Sequence, residues 1–130
     1  MRLPELVIRD AQLLVLSEGV LRTLEDRLIE HARTHFPAIC AELKDDLRPA
    51  IAAAIAGARR YGFNGQREIC KYLNLVFVFG RHFDRDPACS WAHPLLRGAL
   101  PGVPKMERLY GLALQHEREA KGYFAGGGAA

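Results

Sequence analysis

The middle of the chain contains the stretch LNLVFVF at residues 73–79, in which Asn74 is the only polar side chain. An element that is apolar on every side has to be enclosed by the rest of the chain on most of them. Its valines and phenylalanines would also suit a buried strand. The preceding GQREICKYL has helical spacing and no partner strand is visible elsewhere, so the sequence predicts a central helix from Gly65 to about Phe79.

The segments on either side of this stretch predict helices with one apolar face that could cover it. Apolar residues recur at steps of three and four, and Pro37, Gly62 and Gly80 mark helix ends. The predicted helices cover residues 8–36, 38–44 (a short helix or an ordered turn), 46–61, 65–79, 90–96 and 104–123, with N-caps at Asp45 or Asp46, Asn64 and Ser90. The predicted fold class is all-α, a single compact bundle of about five helices around the central hydrophobic helix.

Length and composition indicate one globular domain. The chain has 130 residues, of which 49% are hydrophobic and 25% charged. We expect residues 1–124 to form a single helical domain and the AGGGAA segment at 125–130 to be a flexible tail. The net charge is only +3 and no run of Lys or Arg occurs, so nucleic acid is not an expected partner. The longest apolar run is far shorter than the ~20 residues of a membrane helix, so a membrane is not expected either.

The cysteines indicate the compartment. Cys40, Cys70 and Cys89 are three in number and form no CxxC pair, which argues against a disulfide framework and for reduced, buried thiols. The N-terminal sequence MRLPELVIRD lacks the apolar core and the cleavage site of a signal peptide. Together these features predict a cytoplasmic location.

The segment at residues 82–86 contains the most chemically interesting cluster. His82, Asp84 and Asp86 bring an imidazole and two carboxylates together, and the carboxylates could bind a hard cation. The segment lacks the glycine and the distal glutamate of an EF-hand loop. The competing interpretation is that the aspartates make turn and capping hydrogen bonds and that Arg81 and Arg85 neutralise them. We expect this structural role, with no metal and no cofactor, and keep a metal-binding domain or metal-dependent enzyme as the alternative.

Other catalytic patterns are weak or missing. His31 and His35 lie one helical turn apart, a spacing that two ligands of one metal could adopt, but neither HExxH nor a nearby cysteine pair accompanies them. The chain contains no GxSxG, no P-loop and no Rossmann fingerprint. The sequence therefore does not predict an enzyme.

Short motifs are spread along most of the chain. They are Ile8-Arg9 with Gln12, His31 through Phe36-Pro37, Tyr61-Gly62, Phe79-Gly80, Phe83-Asp84-Arg85-Asp86-Pro87 and Trp91-Ala92. This pattern resembles a family of small bacterial proteins encoded near type VI secretion effectors, over residues 8–113. Asn64-Gly65 departs from the Ser- or Thr-led helix start that is more usual there. The resemblance implies a helical co-chaperone or co-adaptor that helps an effector or its adaptor reach the secretion machinery, with an immunity protein against a cognate toxin as the alternative.

These observations predict a non-catalytic accessory that binds a protein partner through an apolar patch with a polar rim. The predicted patch combines the last helix with the connection RHFDRDPACSW at residues 81–91. Its expected partner-binding residues are His82, Asp84, Arg85, Asp86, Trp91, Tyr110 and His116. Any part of the Phe- and Val-rich central helix left uncovered would itself be an interface.

Overall fold

The computed structural model describes the backbone of residues 18–122 and the side chains of residues 19–118. Within this range the chain forms six α-helices, two 3₁₀ turns (Lys44–Asp46 and Pro87–Cys89) and no β-strand. The helices are α1 (Glu18–His35), α2 (Pro37–Leu43), α3 (Leu47–Arg60), α4 (Gln66–Phe79), α5 (His93–Arg97) and α6 (Gly102–Gly122). The predicted all-α bundle of about five helices is confirmed.

Helix α4 lies at the centre of this bundle, as predicted. It packs most extensively against α3 and also against α6, while α1 packs against α3 and α5 against α6. The side chains of Ile69, Leu73 and Leu75 are completely buried. Burying an aliphatic side chain of this size contributes about 1.5–3 kcal/mol relative to leaving it in water. The apolar character of α4 is therefore the main reason that the other helices assemble around it.

The last turn of α4 is not fully enclosed. Val76, Phe77, Val78 and Phe79 are each only partly buried, in contrast to the preceding turns. The Phe77 ring packs edge-on against the buried ring of Phe36, with 5.3 Å between their centroids. The other side of this turn stays accessible, which leaves apolar surface on the outside of the bundle.

The helix ends agree with the sequence at the proline and the glycines. Pro37 lies in the first turn of α2, directly after α1 has ended. Gly62 and Gly80 have φ values of 90° and 113°, in the region that favours glycine, and they terminate α3 and α4. The predicted start of the first helix at Ile8 and the predicted tail at 125–130 lie outside the described residues.

Two predicted N-caps are wrong. Gly65, with extended backbone, caps α4, and its carbonyl accepts the first helical hydrogen bond from Ile69 at 3.0 Å. The Asn64 side chain is instead directed to the Gly62 carbonyl at 3.5 Å. Ser90 ends the 3₁₀ turn before α5 rather than starting a helix, and α5 begins after Ala92. Asn64 and Ser90 are residue types that suit an N-cap, but the geometry of the connecting turns decides which residue occupies the cap position of each helix.

The three cysteines are free, as the sequence predicted. Cys70 and Cys89 are buried and Cys40 is partly buried. Within residues 18–122, none of the helices combines the length and apolarity needed to span a lipid bilayer.

Candidate functional site

The predicted partner-binding residues belong to several different groups of contacts. His82, Asp84 and Arg85 line one cleft, and Asp86 follows them in sequence but bonds within its own turn. Trp91 and His116 stack on each other, and Tyr110 is buried in the core. The first group lines a concave surface, which is the geometry that binding sites favour.

The cleft lies between α3, the second half of α4 and the turn after α4, and its volume is about 160 Å³. On the α3 side it is lined by small residues that include Ala53 and Gly57. Three arginines, Arg60, Arg81 and Arg85, also line it, and all three are exposed. We call this surface the basic cleft.

Asp84 is the carboxylate that lines the basic cleft. It is 8% exposed and accepts a 2.8 Å hydrogen bond from the Tyr61 hydroxyl. Burial, and then the neighbouring carboxylate, raise the pKa of Tyr61, so that this hydroxyl stays protonated and continues to donate. Asp84 thus accepts its hydrogen bond from a neutral hydroxyl. It forms no salt bridge with the arginines of the cleft.

The arginines of the basic cleft are not neutralised as the sequence predicted. Arg85 donates to Nδ1 of His82 over 3.2 Å, which orients the guanidinium without cancelling its charge. Arg60 and Arg81 form no ion pair or hydrogen bond with the residues that the structure describes. The cleft therefore combines three guanidinium groups with one carboxylate and has a net positive charge.

A second cleft, of about 180 Å³, continues from the first. Its lining is mostly apolar and includes Ile39 and Leu43 from α2 and Phe77 from the half-exposed turn of α4. We call it the apolar cleft. The two clefts share the lining residues Ala50, Val76 and Arg81. They form one surface with an apolar and a basic end, which we call the α3–α4 groove.

The metal hypothesis for residues 82–86 finds no supporting geometry. Asp86 accepts a 2.9 Å hydrogen bond from the backbone N–H of Ala88 and so caps the following 3₁₀ turn. Asp84 is bonded to Tyr61. In the range 18–122 no group of three or more His, Cys, Asp or Glu side chains is arranged to hold a metal ion. Asp86 thus has the turn-capping role that the sequence predicted, whereas Asp84 instead accepts a long-range side-chain hydrogen bond from Tyr61.

Trp91 and His116 form a second accessible cluster. Their rings stack with centroids 4.8 Å apart and planes inclined by 17°. Phe79, from the half-exposed turn of α4, meets Trp91 edge-on at 5.2 Å. All three side chains are partly buried, so the cluster joins α4, the α4–α5 connection and α6 while keeping some aromatic surface accessible.

Tyr110 belongs to a buried chain of polar side chains that links three helices. Asn74 of α4, which is completely buried, donates its amide to the Tyr110 hydroxyl over 3.1 Å. The Asn74 carbonyl lies 2.8 Å from Nε2 of His31 in α1. Because a carbonyl oxygen only accepts, His31 donates through Nε2. Desolvation, and then the nearby His35, lower the pKa of His31, although its bond to Asn74 acts in the opposite direction.

Sequence reasoning missed two features of these sites. Asn74 was noted only as the polar exception in an apolar stretch, although a lone polar residue there has to find partners in the core. Ala53, Gly57 and Arg60 follow one another at helical spacings of four and three, which places them on one face of α3. That spacing was visible in the sequence, but only the fold shows that α4 and the Arg81–Arg85 turn border this face.

Comparisons with protein-family models, with curated proteins and with solved structures found no match for this chain. The resemblance to accessory proteins of type VI secretion receives no support from them and stays a prediction. The function therefore has to be argued from the α3–α4 groove and its surroundings.

Proposed function

We propose that this chain is a non-catalytic accessory protein that holds a protein partner in the α3–α4 groove. The observation that carries this proposal is the continuity of an apolar and a basic cleft beside the half-exposed last turn of α4. An apolar centre bordered by polar groups is the usual anatomy of a protein interface. The basic cleft holds about 160 Å³ and the apolar cleft about 180 Å³, which is room for a few side chains of a partner segment.

The state of the reactive groups supports a role without catalysis. Burial raises the pKa of the Cys70 thiol to about 12, so almost no thiolate forms at neutral pH. His31 donates to the buried amide of Asn74 and so contributes to holding helices together. The Asp84 carboxylate accepts a hydrogen bond from the Tyr61 hydroxyl, and the Asp86 carboxylate accepts one from the backbone N–H of Ala88. Each of these groups is thus either buried or bonded to a structural partner.

The partner that we propose is a type VI secretion effector or its adaptor, met in the cytoplasm. This part of the proposal rests on the resemblance of the motifs alone. The identity of the partner would distinguish assistance in loading from immunity, since a toxin bound and silenced by this chain would indicate the latter.

The proposal is tested by affinity capture from the native cell, with wild-type bait and two tryptophan variants. Ala53→Trp fills the basic cleft with a large ring, while Ala56→Trp places the same ring on α3 outside the groove. Both alanines are exposed, so both variants should keep the fold, which circular dichroism checks. We expect one stoichiometric partner with wild type and with Ala56→Trp, and its loss with Ala53→Trp. Absence of any partner with wild-type bait would contradict the proposal.

A further inference from the structure

We infer that the occupant of the α3–α4 groove is a short segment of the partner protein in which apolar side chains stand next to an aspartate or glutamate. The carboxylate enters the basic cleft and the apolar side chains enter the apolar cleft. This inference rests on the proposed function and adds the chemistry of the partner to it.

The charge of the basic cleft selects the acidic residue. Arg60 and Arg81 are exposed and form no salt bridge with the described residues, and Arg85 adds a third guanidinium, which donates to His82. Like charges gathered on one concave surface favour an anion between them. A guanidinium matches a carboxylate with two parallel hydrogen bonds, a stronger and more directional contact than a neutral pair gives.

The apolar cleft selects the rest of the segment. Ile39, Leu43 and Phe77 present partly buried apolar side chains there, and filling the cleft would remove them from water. Because the clefts share three lining residues, the acidic and apolar groups that fill them lie close together. A single short segment of the partner can place both kinds of side chain at this spacing.

The same features disfavour a nucleic acid as the occupant. Binding to a phosphate backbone favours a basic stripe along the whole contact. Here Arg81 is the basic residue that lines the apolar cleft, and the carboxylate of Asp84 lines the basic one. An acidic side chain that enters between Arg60 and Arg81 avoids this carboxylate more easily than a continuous row of phosphates would.

The test is a selection from a random-peptide phage library on the full-length wild-type chain, with counter-selection on the double variant Arg60→Ser, Arg81→Ser. We expect the enriched peptides to share an Asp or Glu adjacent to aromatic or aliphatic residues. The most enriched peptide is then synthesised with a fluorescent label, and its Kd is measured by anisotropy.

The variants have matched controls. The double variant should raise the Kd at least about tenfold, whereas Arg59→Ser with Arg97→Ser, which removes the same charge outside the groove, should change it less than about twofold. Replacing the peptide's acidic residue by its amide should cause a similar loss and abolish the effect of the double variant. At the other end, Ile39→Ser should weaken binding about tenfold and the exposed Ala38→Ser should not.

Each other outcome overturns the inference. No enrichment, enrichment without acidic residues, or equal binding to the double variant would do so. If the wild-type chain binds a single-stranded oligonucleotide and the double variant does not, the basic cleft binds phosphate groups instead. The native capture experiment separates the two proposals. A partner that is captured equally by wild type and by the double variant would leave the accessory role intact and remove only the groove chemistry.

Discussion

Replacement of Asn74 by alanine should destabilise the fold strongly, although it removes only a few atoms. Asn74 is completely buried, accepts from His31 over 2.8 Å and donates to Tyr110 over 3.1 Å. Loss of a buried hydrogen bond costs about 1 kcal/mol net, and up to about 3 kcal/mol where the remaining group cannot recover its bonding. His31 is only partly buried and can recover some bonding from water, so we expect a total loss of about 2–4 kcal/mol.

The measurement is urea unfolding at pH 7.5, monitored by circular dichroism. The change in the free energy of unfolding is the shift in the urea midpoint multiplied by an m-value common to all variants. Asn64→Ala is the matched control, because Asn64 makes a single long hydrogen bond of 3.5 Å and is only partly buried. It should change the free energy of unfolding by less than about 0.5 kcal/mol. Tyr110→Phe and the double variant complete a thermodynamic cycle, and we expect the effects of Asn74→Ala and Tyr110→Phe to be non-additive by at least about 0.5 kcal/mol.

Two results would refute this reasoning. An Asn74→Ala variant as stable as the Asn64→Ala control would show that the buried amide contributes nothing net. A cycle that is additive within error would show that Asn74 and Tyr110 do not act as a pair. The first result would remove the energetic role of the whole three-helix connection, and the second would remove that of its Asn74–Tyr110 bond.

The remaining predictions concern pH, close packing and thiol access. Because the pKa of His31 is lowered on folding, the unfolded chain binds more protons near pH 6, so stability should fall as the pH drops below about 6.5, and His31→Gln should weaken this dependence in urea melts. Gly102→Ala should lower the melting temperature, since the new methyl would lie 2.6 Å from the Gly62 carbonyl oxygen, whereas Gly111→Ala, with open space around it, should raise it. Cys70 should react with a disulfide reagent at pH 7.5 only after denaturation, because it is buried and its thiol has a pKa of about 12; rapid labelling of the native chain would contradict this.

Much of the fold could be predicted from local sequence because helix periodicity and helix ends are local properties. The apolar faces of α4 and α6 follow from spacing, and Met106, Leu109 and Ala113 are buried as that spacing indicates. Pro37 and Gly80 mark helix ends through backbone restrictions that depend on the residue itself. Caps were less predictable, because several suitable residues stood near each helix start and the path of the connecting turn selected among them.

The candidate site depended on tertiary structure. His82, Asp84 and Arg85 were selected from their clustering in sequence, but Arg60 and Ala53 join them only because α3 packs beside α4. The expected neutralisation of the aspartates by neighbouring arginines failed for the same reason. The fold supplied a tyrosine hydroxyl to Asp84 and a backbone N–H to Asp86, and it left Arg60 and Arg81 facing the cleft.

The sequence by itself determined that the chain forms an all-α bundle around residues 65–79, since an apolar helix has to be covered and the flanking segments have apolar faces with which to cover it. Only the tertiary structure decided how far that cover extends. It is incomplete at Val76–Phe79, which are only partly buried, and Val76 and Phe77 line the α3–α4 groove. The physical reason is that periodicity shows which face of each helix is apolar, whereas the placement of its neighbours decides which part of that face remains exposed to water.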